Sequence, residues 1–113
     1  PVEDLVAAAE RGDTQAQTRL GDIYGKGIGV QKDEAQSFNW YRKAATAGHA
    51  PAQTRLGYLY STGVGVAKDE DASIAWYCEA AAQGYRGALT NLEIMRTYGL
   101  FDPKECPTRR ALR

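Results

Sequence analysis

The chain repeats itself, and the repeat limits the folds open to it. AQTRLGDIYGKGIGV begins at Ala16, and AQTRLGYLYSTGVGV begins 36 residues later at Ala52. The same step carries Lys32, Asp33 and Glu34 onto Lys68, Asp69 and Glu70. It also carries Trp40 and Tyr41 onto Trp76 and Tyr77, and Gly48 onto Gly84. A period of this length marks a solenoid, in which each unit buries its apolar face against the next. Residues 4–13 align with 40–49, and residues 85–99 align with the first half of a further unit. In that last copy Gly21 and Gly57 become Glu93, and Tyr24 and Tyr60 become Arg96. Terminal repeats depart from the pattern because one face meets water. The expected organisation is a half-repeat over 1–12, full repeats over 13–48 and 49–84, and a degenerate half-repeat with a tail over 85–113.

Each unit reads as two helices. Ala16, Leu20, Ile23, Tyr24 and Gly27 share one helical face, and Phe38, Tyr41, Ala44 and Ala45 mark a second stripe. Asp33 and Asp69 stand where an N-cap carboxylate accepts from the first free N–H groups of a helix. Gln36 follows Asp33 at capping-box spacing, whereas Ala72 follows Asp69. Gly48 and Gly84 sit where a helix stops in a left-handed cap. The pattern predicts six helices, near 3–11, 14–25, 34–47, 50–61, 70–83 and 87–97, with one further turn after Pro107.

Composition narrows the function. Fourteen basic and fourteen acidic side chains give a formal net charge of zero. A chain that grips nucleic acid through its phosphates carries a basic excess, so no nucleic-acid partner is expected. No apolar run approaches the roughly 18 residues of a membrane span, so membrane insertion is not expected. The sequence opens at Pro1 and shows no signal peptide, which fits a processed or trimmed start. His49 is the single histidine and sits in a turn, without the partners a metal site needs. GKGIGV at 25–30 has the composition of a phosphate loop. Yet it follows a helix, its lysine lies among the glycines, and its copy STGVGV at 61–66 has lost that lysine. Gly27, Gly29, Val30, Gly63, Gly65 and Val66 are therefore read as an interhelical turn. The glycines supply positive φ, and the valines pin the loop to the core. Trp40, Tyr41, Trp76 and Tyr77 recur at one place in each unit and are read as interhelix packing. No cofactor is expected.

The pattern A-Q-x-x-L-G-x-x-Y-x-x-G-x-G-V, then D, then W-Y-x-x-A-A-x-x-G resembles the Sel-1-like repeat, a branch of the tetratricopeptide-like superfamily. Ala16, Leu20, Gly21, Tyr24, Gly27, Gly29, Val30, Asp33, Trp40, Tyr41, Ala44, Ala45 and Gly48 carry it in the first unit, and their counterparts from Ala52 to Gly84 in the second. Ser37 and Ser73 depart from the pattern at a position where the family usually has alanine. The resemblance implies an all-α solenoid of antiparallel helix pairs with a right-handed superhelix. It implies a non-catalytic adaptor or scaffold that holds a protein or peptide on its concave face, with a monomer favoured. The alternative is an inhibitor or immunity protein that neutralises a toxin or enzyme. Cysteine-rich members have been linked to β-lactam chemistry, but this chain has no S-x-x-K, so a hydrolase ranks third. Many members are bacterial and exported.

Cys78 takes the place of Arg42, and Cys106 lies in the tail, so both fall where the chain leaves the repeat pattern. They are read either as a disulfide that folds the tail over the last repeat or as two separate thiols. A disulfide implies an oxidising compartment, periplasmic or extracellular. In helix-turn-helix solenoids the first helix of each unit lines the concave side. There positions 15, 19, 22 and 26 share the face opposite the core. They hold Gln15, Arg19, Asp22 and Lys26, then Pro51, Arg55, Tyr58 and Thr62, then Gly87, Asn91, Ile94 and Tyr98. Arg19, Asp22, Lys26, Arg55, Tyr58, Thr62 and Asn91 are the candidate partner-binding residues. Arg19 and Arg55 are suited to a carboxylate or a peptide backbone.

Overall fold

The computed structural model describes residues 1–106. It contains α1 (Val2–Glu10), α2 (Thr14–Lys26), α3 (Glu34–Thr46), α4 (Ala50–Thr62), α5 (Glu70–Ala81), α6 (Arg86–Thr97) and a short 3-10 turn at Pro103–Glu105. These elements form an all-α solenoid measuring 42 × 23 × 22 Å. The helices pack in chain order, α2 on α3 and α4 on α5 most closely. The first helices also meet across units, α4 touching α6.

Within each pair, an aromatic ring lies on a glycine. A Cβ added to Gly21 would collide with the Tyr41 ring, and one added to Gly57 would stand 2.9 Å from ring carbons of Tyr77. Both tyrosines are buried. The glycine is helical and has ordinary backbone angles, so its role is close approach and not turn geometry. Between units the core runs as a string of small clusters. Ala9, Ala16 and Leu20 are covered by Trp40. Tyr41, Ala44, Ala45, Ala52, Leu56 and Leu59 are covered by Trp76. The tryptophan of each unit thus closes the seam of the one before it. A buried glutamine bolts each seam: Gln17 Nε2 donates to the Ala9 carbonyl at 3.0 Å, and Gln53 Nε2 to the Ala45 carbonyl at 3.1 Å. Both carbonyls lie in the last turn of a helix, where each also accepts from the N–H of the following glycine, Gly12 or Gly48.

Gly27 and Gly63 end α2 and α4 in the left-handed region, at φ 71° and 76°. Gly29 and Gly65 repeat that angle, and Gly65 also presses against the Glu34 backbone carbonyl. A side chain there would meet both strain and a neighbouring backbone. Val66 packs against the central cluster. Val30 is half-buried and lines a cleft beside Val2 and Val6, which pack against the first cluster. Ser37 and Ser73 are buried, and Ser37 Oγ donates to the Gly21 carbonyl at 2.7 Å.

Asp33 and Asp69 cap α3 and α5 through the N–H groups of Gln36 and Ala72. The reciprocal half of the capping box does not form at Asp33. Its N–H donates to the Tyr24 carbonyl, and Gln36 Nε2 turns to the Asp33 carboxylate instead. Asp69 N–H donates to the Tyr60 carbonyl in the same way, so the turn itself claims the donor.

The turn recurs a third time. Gly99 has φ 71°, and Leu100 N–H donates to the Met95 carbonyl as Ile28 N–H does to Ile23. Phe101 then stands where Gly65 stood and is buried against Tyr77, Cys78 and Leu92. Cys106 is disulfide-bonded to Cys78, with Cα atoms 5.6 Å apart. The extra turn predicted after Pro107 lies outside the described residues.

Gly21→Ala should lower the unfolding free energy by about 1–3 kcal/mol through overpacking. Helix propensity alone favours alanine by about 1 kcal/mol, so urea denaturation reads the sign directly. Reducing the disulfide should cost about 3–4 kcal/mol on the loop-entropy model for a 28-residue separation. Hydrogen exchange should place the loosening in α6 and residues 99–106.

Candidate functional site

The first helices α2, α4 and α6 carry the candidate residues. Asp22, Lys26, Arg55, Tyr58 and Asn91 line one groove of about 400 Å³. Its apolar lining comes from Leu59 and Val64, and its far side from Glu34, Ser37 and Tyr41. Arg19 lies in the adjoining cavity of about 420 Å³, with Gln15, His49 and Pro51, and Asp22 and Arg55 border both. Thr62 stands apart from these cavities, because its Oγ1 donates to the Tyr58 carbonyl at 2.9 Å and closes its own helix. Tyr58 is 58% exposed, and Ile94 and Tyr98 continue its apolar surface onto α6, at 51% and 75%.

Asp22 is the hinge of the arrangement. Its Oδ1 accepts from Arg55 Nε at 2.8 Å and from the Tyr41 hydroxyl. Arg55 also donates through Nη1 to the Pro51 carbonyl at 3.2 Å. The arginine expected to read a partner's carboxylate is therefore already holding one, from the previous unit. Burial, together with the bond to Asp22, pushes the Tyr41 hydroxyl well above the ordinary tyrosine range. Burial raises Tyr77 as well. His49 sits at the N-cap position of α4 without a side-chain cap bond. Burial and the Arg55 charge pull its pKa below the usual histidine value. Among the described residues no group of three or more His, Cys, Asp or Glu side chains could hold a metal. No described helix is long and apolar enough to cross a membrane.

Sequence reasoning missed the contribution of α3. Glu34, Ser37 and Tyr41 reach the groove from the second helix, and Tyr41 had been assigned to packing alone. A signal was present: one row of the first helices reads Asp22, Tyr58, Ile94. An acid that appears once in such a row calls for a polar partner on a neighbouring helix.

The Sel1 repeat family model matches residues 14–49 and 50–85. The chain belongs to the Sel1 repeat family. A Sel1 repeat protein from Oxalobacter formigenes superimposes with a TM-score of 0.77 at 49% identity, over 79% of this chain and 67% of its own. The c5321 protein, a protective antigen present in uropathogenic Escherichia coli strains, gives 0.83 at 38% identity, over 88% of this chain. The chain spans 21% of that antigen's length. Cysteine-rich protein B of Helicobacter pylori gives 0.77 at 28% identity, over 80% of this chain and 68% of its own. No curated protein sequence matches the chain. Sel1 repeats serve as protein-interaction modules, which directs attention to the varied face of this one and not to its repeated core.

Alkaline ultraviolet titration should find Tyr41 and Tyr77 still protonated above the ordinary tyrosine pKa of about 10. Their native pKa values are raised, so the stability they add is complete below that pH and is lost as the pH rises through the native values. Tyr41→Phe should remove one of the two delayed ionisations. An Asp22→Ala and Arg55→Ala double-mutant cycle should give a coupling of about 0.5–1 kcal/mol, modest because the pair is partly solvated.

Proposed function

We propose that this Sel1 repeat chain is a non-catalytic adaptor that holds a protein or peptide on the face formed by α2, α4 and α6. The observation that carries this is the distribution of variation. Core positions repeat from unit to unit, while the rows Arg19–Arg55–Asn91, Asp22–Tyr58–Ile94 and Lys26–Thr62–Tyr98 change chemistry and share one surface. A binding surface needs varied chemistry at defined spacing on a rigid support, and the repeated seams supply the support. Tyr58, with an apolar ring, a polar tip and little rotamer entropy to lose, is the anchor. The Cys78–Cys106 disulfide and the bacterial relatives support a periplasmic or secreted setting. Nothing in the site geometry favours an inhibitor over an adaptor.

A photo-crosslinking residue placed at position 58 should capture a partner from the source cell, and the same residue at position 42, exposed on α3, should not. Tyr58→Ala should weaken the captured complex at least about 30-fold, the scale of a hot-spot loss. A partner that crosslinks at 42 and ignores Tyr58→Ala would place the interface on the other side.

A further inference from the structure

The Asp22–Arg55 ion pair defines a rung that steps back 33 residues, from the first helix of one unit to the first helix of the unit before. The same step from Asn91 leads to Tyr58. Arg19 occupies the arginine half of a rung, and it makes no hydrogen bond or ion pair among the described residues. It is exposed and opens onto the cavity shared with Gln15, His49 and Pro51. The acids bordering that cavity are committed. Asp13 accepts from the N–H groups of Gln15 and Ala16, and Asp22 accepts from Arg55 and Tyr41. Arg55 is held by Asp22, so Arg19 is the cation of this cavity without a carboxylate to hold. Toward α6 the same face turns apolar, through Tyr58, Ile94 and Tyr98.

We propose that this face reads a short extended segment of a partner protein in register. An aspartate or glutamate side chain of the segment pairs with Arg19, and apolar side chains rest on Tyr58 and then on Ile94 and Tyr98. The proposal rests on the adaptor reading above and names the chemistry of its partner. Asp22 on Arg55 supplies the template, since it is a side-chain carboxylate taken by the matching arginine one unit on. Arg19 offers one positive charge, which one carboxylate balances, whereas a phosphate dianion brings a second negative charge beside Asp13 and Asp22. Successive first helices lie within reach of a side-chain pair, as Asp22 and Arg55 show, a spacing on the order of 10 Å, and an extended chain advances about 3.3–3.6 Å per residue. The segment therefore carries its first apolar residue about three positions from the acid, and its second about six.

The test uses the oxidised protein and nine-residue peptides, acetylated and amidated at their ends. One set has Glu followed by Leu three positions on and Phe six positions on. A second set reverses the order, a third replaces Glu with Gln, and a fourth keeps the composition but changes the spacing. Fluorescence anisotropy should show the Glu peptide, in one of the two chain directions, binding at least about tenfold tighter than its Gln counterpart, the worth of one charge-assisted contact. Arg19→Gln should erase that difference with the melting temperature unchanged, and Arg19→Lys should restore part of it. Tyr58→Ala should weaken the Glu and Gln peptides alike. The ring of His49, the single histidine, should shift in the NMR spectrum with the Glu peptide and not with the Gln peptide. Equal binding of Glu and Gln peptides, indifference to Arg19→Gln, indifference to spacing, or no binding by any peptide overturns the proposal. So does binding only by a fifth set that has a free C-terminal carboxylate in place of the amide. If crosslinking at position 58 still captures a partner in any of these cases, the adaptor reading stands and only the register proposal falls.

Discussion

Two tyrosine rings resting on two helical glycines set the distance between the helices of each pair. Tyr41 on Gly21 and Tyr77 on Gly57 bring α3 onto α2 and α5 onto α4 closely enough for the rest of the unit to close. At that distance Ser37 can reach the Gly21 carbonyl, and the turn from Gly27 to Asp33 can bond back to Tyr24. The tryptophan one residue before each tyrosine then points to the neighbouring seam. Adjacent residues of one helix therefore serve different interfaces, the tyrosine within its unit and the tryptophan between units. Quasi-one-dimensional stability follows from that division of contacts.

Tyr41 also joins the core to the candidate face. Its ring belongs to the helix pair, while its hydroxyl emerges beside Asp22 on the first helix. Asp22 takes Arg55 from the next unit, so one carboxylate links α2, α3 and α4. The groove beside it therefore has part of its lining, Asp22, Ser37, Tyr41 and Arg55, already held by hydrogen bonds. Less ordering entropy remains for a ligand to overcome there. Arg19 has the same place in its own unit but no acid to hold among the described residues, and this difference separates a structural arginine from an available one.

At the far end the solenoid changes its material without changing its plan. Gly99 repeats the turn of Gly27 and Gly63, but Phe101 replaces the glycine that follows and fills the seam against Tyr77 and Leu92. The disulfide holds the tail at Cys78, a position given to an exposed arginine in the first unit. Glu93 replaces the glycine on α6 that a tyrosine ring would require, and it pairs with Arg96 in solvent. Among the described residues, one aromatic ring and one covalent bond close this last seam.

The sequence by itself determined the period, the six helices, their glycine turns and their aspartate caps. These follow from local chemistry repeated at a fixed interval: left-handed glycines, capping carboxylates and apolar stripes. Internal comparison also retired GKGIGV as a phosphate loop, because its copy kept the glycines and lost the lysine. It put Arg19, Asp22, Lys26, Arg55, Tyr58, Thr62 and Asn91 forward as one face, since helical spacing fixes which residues of a helix share a side. Only the tertiary structure decided which of those residues are already engaged. The Asp22–Arg55 pair spans 33 residues rather than the 36 of the repeat, an offset set by how neighbouring helices lie against each other. Likewise Gln36 failed to complete its capping box, because the Tyr24 carbonyl of the preceding helix claimed the Asp33 N–H.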